Sequence, residues 1–257
     1  DPRFVDRLEF CRRTASGDLW VGGAAGIAVL RDRQLQVFGR ADGAAPDQAF
    51  CFLEIDASRY WCGGRDGIHE FDGKTWTRIR SGLDQVHAMI RARDRSIWAA
   101  SRDGIHHFVD GVWLDNDAHE GLSSAVAYCV LEDRHGGIWV GTGRGLVRHE
   151  PGADIDPPRV SISSANGTRE FLLDEPVRFE LRGQDKWKIT SPERLLYSWR
   201  LDNLQWTPFA AVSSVDIREL TPGRHYFQAR AMDRNGNVDR QHYAVFDFTV
   251  ALPWHLE

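Results

Sequence analysis

The chain has 257 residues, 42% of them apolar, and its 32 Lys and Arg against 37 Asp and Glu leave a net charge of −5. That balance excludes a general electrostatic attraction to nucleic acid or to an anionic membrane surface. No run of 18 or more apolar residues occurs, so nothing in these residues is expected to span a bilayer, while 24 Gly, 10 Trp and 13 Phe point to short strands and tight turns around large anchors.

The first 150 residues repeat. Gly17-Asp18-Leu19-Trp20-Val21-Gly22-Gly23 recurs as Gly137-Ile138-Trp139-Val140-Gly141-Thr142, with weaker copies at Arg59-Tyr60-Trp61-Cys62-Gly63-Gly64 and Ser96-Ile97-Trp98-Ala99-Ala100-Ser101. Trp20, Trp61, Trp98 and Trp139 stand 41, 37 and 41 residues apart. Six residues after each comes a glycine (Gly26, Gly67, Gly104, Gly145) followed by Ile or Leu. A period of about 40 with these anchors predicts one four-stranded β-propeller blade per copy.

Within a blade, strand A is apolar, as in residues 49–55 and 125–131. Its turn carries Asp56, Asp94 or Asp133, whose carboxylate is suited to accept backbone N–H bonds. Strand B holds the tryptophan, and the repeated glycine turns the chain into strand C at positive φ. Asp72-Gly73 and Asp110-Gly111 are hairpin dipeptides. Trp76 and Trp113 fall on strand D, and Gly82-Leu83 and Gly121-Leu122 open the next blade. In the fourth copy Pro151-Gly152 replaces Asp-Gly, and Asp156-Pro157-Pro158 follows as an extended linker. Residues 1–156 are therefore expected to form about four blades, the last without strand D. Two outcomes stay open: a small four-bladed ring, or part of a larger propeller capped by self-association.

From 157 to 252 the rhythm changes. Alternating runs at 159–163, 177–181, 195–201, 215–220, 225–232 and 243–250 predict an immunoglobulin- or fibronectin-like sandwich. Trp199 is expected as a buried strand aromatic. Leu220-Thr221-Pro222-Gly223-Arg224-His225-Tyr226 reads as a tyrosine corner, the Tyr226 phenol bonding back to the preceding loop. Asp233-Arg234-Asn235-Gly236-Asn237 closes the next hairpin through Asn-Gly. The fold class is all-β, blades followed by a sandwich, with 253–257 a membrane-proximal end or an expression remnant.

At this point two stretches resemble known families. Asp133-Arg134-His135-Gly136-Gly137-Ile138-Trp139-Val140-Gly141-Thr142-Gly143-Arg144-Gly145-Leu146 resembles the two-component regulator propeller repeat. Tyr197-Ser198-Trp199-Arg200-Leu201-Asp202 to Trp206, with Leu220-Thr221-Pro222-Gly223 to Tyr226 and Ala229-Arg230-Ala231, resembles the triple-tyrosine domain that follows such propellers, Trp199 replacing one family tyrosine. The resemblance implies the periplasmic input region of a membrane-bound bacterial sensor. A transmembrane helix would follow near Leu252-Pro253-Trp254, and a histidine kinase, cyclase or phosphatase output would lie in the cytoplasm. It also implies homodimerisation, a small-molecule or glycan ligand, and more blades than this chain carries, so that the chain is an excised portion.

No catalytic motif is present, and neither a cofactor nor a metal is expected. His106 and His107 are adjacent strand residues facing opposite sides, which disfavours a shared metal, and His69 matches His106 in blade position. Cys11, Cys51 and Cys129 lie nine or ten residues before their tryptophans and are expected as buried strand-A residues; Cys51 and Cys62 could alternatively bridge. Arg65 and Arg102 share one position in the turn between strands B and C, and Arg144 lies one residue later. This turn is expected to share a face with the loops joining blades, so the three guanidiniums could clamp carboxylate, sulfate or phosphate groups. Ala24 and Ala25 interrupt the set in blade one, Asp66 and Asp103 would partly neutralise it, and solvated turns account for the same residues. Trp76 and Trp113 could stack on sugars, but packing between blades explains them better. The functional alternatives are a non-enzymatic sensor input region, a rigid protein-interaction platform, and a propeller lyase, for which only the scattered His87, His119 and His135 are available.

Overall fold

The computed structural model describes residues 7–116 and 122–252. His119, Gly121 and Trp254 lie outside the described residues. The chain divides into two compact units, Asp1–Pro151 and Gly152–Glu257. Residues 152–156, grouped with the propeller from sequence, go with the second unit: Asp154 bonds Asn235 and Asn237, and Asp156 bonds Lys186 and Trp187.

Each copy of the repeat folds as one antiparallel sheet. Blade one holds β1 (Leu8–Arg13), β2 (Leu19–Gly23), β3 (Gly26–Arg31) and β4 (Gln34–Phe38). Blade two holds β5 (Ala49–Glu54), β6 (Tyr60–Gly64), β7 (Gly67–Phe71) and β8 (Trp76–Ser81). Blade three holds β9 (Ala88–Arg91), β10 (Ile97–Ser101), β11 (Gly104–Val109) and β12 (Val112–Asn116), while blade four has only β13 (Ala127–Glu132), β14 (Ile138–Thr142) and β15 (Gly145–His149).

Local chemistry explains the blade. Asp133 accepts the His135 and Gly137 N–H groups at 2.8 and 3.0 Å and the Trp139 indole at 2.8 Å, which ties the A–B turn to strand B. Asp56 and Asp94 cap the equivalent turns. The four repeated glycines all have positive φ, from 101° to 143°. At Gly67 a Cβ would also lie 2.0 Å from the Arg80 carbonyl oxygen, which is backbone and cannot yield. Gly67→Ala should therefore cost at least ~2 kcal/mol, read as a lowered midpoint in urea at unchanged slope.

Blades stack through apolar clusters. One joins blades one and two around Trp20 and Trp76, one joins two and three around Trp61 and Ile68, and one joins three and four around Trp98 and Ile138. Trp76 is buried and Trp113 packs on Trp61 and Phe108, so both serve packing. Among the described residues no cluster joins blade four to blade one. The four blades form an open row, and its end face is bare: Leu146 is 65% exposed where its counterpart Ile105 is 4%. Trp139 is correspondingly half-buried, beneath Arg148, while Trp20, Trp61 and Trp98 are buried.

The cysteine expectations change. Phe10, Cys51 and Cys129 pair with Gly22, Gly63 and Gly141, whereas Cys11 pairs with Val21, one residue out of step. A one-residue offset puts a side chain on the opposite face, and Cys11 is exposed. Cys129 keeps the right register but is exposed on the bare face of blade four. Cys62 pairs with Phe52 rather than Cys51, so the two thiols point to opposite faces and all four cysteines are free. Burial pushes the Cys51 thiol up to about 12, leaving it unreactive.

The second unit is a two-sheet sandwich. One sheet runs β16 (Arg159–Ser164), β18 (Val177–Gln184) and β20 (Ser214–Ile217). The other runs β17 (Glu170–Leu172), β22 (Ala244–Ala251), β21 (Gly223–Met232) and β19 (Leu196–Leu201), with β17 parallel to β22. Phe179 stacks on Phe227 at 4.2 Å in the core between them. Two aromatic expectations are corrected. Tyr226 is 38% exposed, under Arg224, and His225 (7%) takes the corner, its Nε2 bonding the Thr221 carbonyl at 2.7 Å and its Nδ1 bonding Asp202. Trp199 is half-buried at the core's margin, and the buried strand aromatic is Tyr197, whose hydroxyl accepts the Gly183 N–H at 2.7 Å. No helix among the described residues is long and apolar enough to cross a membrane.

Candidate functional site

The B–C turns and the loops between blades meet on one edge of the blade row, as their backbone bonds show. Gln85 N–H reaches the Arg65 carbonyl and Val86 N–H the Gly64 carbonyl, at 2.9 and 3.0 Å. Arg102 N–H reaches Asp84, Gly143 N–H reaches Val126, and Ala24 N–H reaches Arg7. Arg65, Arg102 and Arg144 are therefore carried on this edge, each exposed on its own blade.

Their charge is little neutralised. Asp66 turns back to Arg78 at 2.6 Å and His69 at 3.2 Å, and Asp103 accepts the Asp84 N–H at 2.6 Å. Arg102 stands 3.9 Å from Asp84, and among the described residues no carboxylate pairs with Arg65 or Arg144. His69 and His106 are structural: His69 bonds the Ala44 carbonyl, and His106 links Ser101 to Asp115. His107 faces the other way and stacks flat on Trp98 at 4.0 Å.

The same edge holds a row that the sequence reading did not identify. Strand A carries a register break at Glu9, Phe50 and Tyr128, and His87 holds the corresponding position just before β9. Such breaks re-aim side chains. The His87 ring lies 6.0 Å from Phe50 and 5.4 Å from Tyr128, and its Nε2 has no hydrogen-bond partner. Burial, then the Arg102 charge, keeps His87 below the usual histidine range. The signal was available: Glu9, Phe50, His87 and Tyr128 each stand eleven residues before the blade tryptophan. The edge thus combines π-faces with unpaired guanidiniums, a chemistry suited to planar anions and sugar rings.

In the second unit Asp154, Asp185 and Asp233 come together, buried, each offering an oxygen within 4.8 Å of the others. Asp233 lies in the segment read from sequence as a hairpin alone. Burial, together with the Asp154 charge, holds its carboxyl above the ordinary range against the bonds from Asn237 and Asn235.

Residues 121–144 match the two-component regulator propeller family. The fold is similar to the extracellular domain of a B. thetaiotaomicron protein described as the hybrid two-component system BT3049, at 18% identity and a TM-score of 0.53, covering 96% of this chain and 38% of that one. The extracellular domain of a second protein of that organism, described as the one-component system BT4673, aligns over 96% of this chain and 36% of its own length, at 14% identity and a TM-score of 0.45. The WD40 propeller domain of Doa1 aligns with 55% of this chain and 49% of its own, at 15% identity and a TM-score of 0.46. This chain therefore spans less than two-fifths of either B. thetaiotaomicron domain. No curated protein matches it. Within the first unit, the stretch that matches that family leads into and forms part of the fourth of four blades built on one repeating pattern.

Proposed function

We propose that the chain is part of the periplasmic input region of a membrane-bound bacterial sensor, not itself catalytic. The turn edge of the blades binds an anionic glycan or similar small anion. Pairing of two sandwiches then passes the occupied state to a cytoplasmic kinase as a shift between two populations. The observation that carries this reading is the His87–Phe50–Tyr128 row beside the unpaired Arg65 and Arg144 turns, on repeats of a two-component family.

Thermal-shift and calorimetric titration with uronate-containing and sulfated oligosaccharides, against neutral ones, tests it. Acidic glycans should bind and neutral ones should not, with affinity falling as salt rises. Arg144→Ala, at an exposed and unpaired position, should weaken binding about tenfold without lowering the melting midpoint. A flat response to every acidic glycan, or an Arg144→Ala variant that binds as tightly as the parent, overturns the assignment of this edge.

A further inference from the structure

We propose that Asp154, Asp185 and Asp233 form a calcium site at one end of the sandwich. Asp154 precedes β16, Asp185 follows β18 and Asp233 follows β21, so the site ties the ends of both sheets together. The three are only 5%, 2% and 1% exposed. Among the described residues no Lys, Arg or His pairs with any of them; the nearby Lys186 is bonded to Asp156 instead. Three carboxylates gathered out of water without a counter-charge repel one another and lose hydration, an arrangement that persists only when a cation or a proton balances it.

The hydrogen bonds show where the cation goes. Asp233 Oδ1 accepts the Asn235 and Asn237 N–H groups, both at 2.9 Å, and its Oδ2 accepts the Asn237 amide at 2.9 Å. Asp154 accepts Asp156 N–H at 3.1 Å and the Asn235 amide at 3.5 Å. Asp185 Oδ2 accepts Thr190 N–H at 2.9 Å, but its Oδ1, fully buried, has no donor at all. That oxygen is the independent sign: a buried lone pair in a ring of like charges, with nothing of the protein to satisfy it. The donors are all hard oxygens, which selects against zinc and copper. Calcium–oxygen bonds of about 2.4 Å place opposed ligands about 4.8 Å apart, whereas magnesium needs a tighter octahedron and keeps its waters. The 4.8 Å envelope of the three carboxylates admits calcium without contraction.

The test uses the whole chain after EDTA treatment. Calcium chloride at about 10 mM should raise the second unit's melting midpoint by about 5–15 °C, with magnesium giving a much smaller shift. Terbium(III) should give tryptophan-sensitised emission, with Trp187 bonded next to the site through Asp156, and calcium should displace it. Asp185→Asn should weaken calcium binding by at least ~10-fold. In EDTA the same substitution should raise the midpoint, because one of three repelling charges is gone. If Asp185→Asn does not fold, the parent's calcium shift and terbium displacement decide the matter alone. A parent chain indifferent to calcium, an equal response to magnesium, or an Asp185→Asn variant that keeps the calcium shift overturns the proposal.

Discussion

Replacing Trp20 with alanine is expected to cost the first unit about 3–5 kcal/mol. The indole is fully buried between blades one and two, ringed by Phe38, Phe52, Tyr60, Phe71 and Trp76 at centroid distances of 5.1–6.1 Å. Its N–H has no partner, so the loss is one of burial and aromatic packing, and the five surrounding rings cannot all move in to close the void. Trp139 is the internal control. It has the same place in its blade, yet it is half-buried, and among the described residues no blade packs beyond it. Trp139→Ala should cost clearly less, even with its bond to Asp133 lost. Urea denaturation followed by fluorescence measures both, and equal losses would show that blade junctions do not set the stability of the unit.

The first unit should weaken in mild acid through His107. Burial depresses this imidazole to about 4, the Asp94 charge opposing and the His149 charge assisting, and neither ring nitrogen has a partner. A histidine with a depressed folded pKa contributes stability above its unfolded value near 6.5 and loses it as pH falls toward the folded value. Between pH 7.5 and 5 the loss is about 2 kcal/mol, approaching about 3 kcal/mol at pH 4. His149 and His87, held low first by their own burial, act in the same direction. His107→Phe keeps a flat ring on Trp98 and removes the titration, so its stability should fall less steeply than the parent's over this window. Parallel pH curves for the two proteins would refute the assignment. The second unit has the opposite sign at His225. There burial lowers the pKa, but the Thr221 carbonyl and Asp202 outweigh it and raise it. That stabilisation is complete below the unfolded value and fades as pH climbs through the raised one.

The repeat was legible because its anchors recur blade by blade. The glycine six residues after each tryptophan is required by a positive-φ turn, and the aspartates of three A–B turns cap that turn's own N–H groups. The tryptophan recurs because every blade offers its neighbour the same packing position, so the spacing of these anchors survives in the sequence. Parity was not legible. His225 and Tyr226 are neighbours on one strand, and which of them enters the corner depends on the pairing of β21 with β22 and not on the motif. Cys11 failed for the same reason: it stands nine residues before its tryptophan where Cys51 and Cys129 stand ten, and that single residue puts it on the opposite face. The strand β17 is only three residues long and pairs with β22, some 80 residues away, too short to leave an alternation. The arginine turns were found because they sit at a repeated position. The aspartates Asp154, Asp185 and Asp233 sit 31 and 48 residues apart on segments that meet only once the two sheets have packed.

An open row has two ends, where a closed ring has none. Three junctions hold four blades, so the unit's stability is a sum of blade terms and three junction terms, as in a linear array. Damage at blade four is then local fraying, whereas damage between blades two and three severs the array into halves too small to persist alone. A ligand lying along the turn edge would touch several blades at once. It would act as a splint across the junctions, reporting its presence as rigidity.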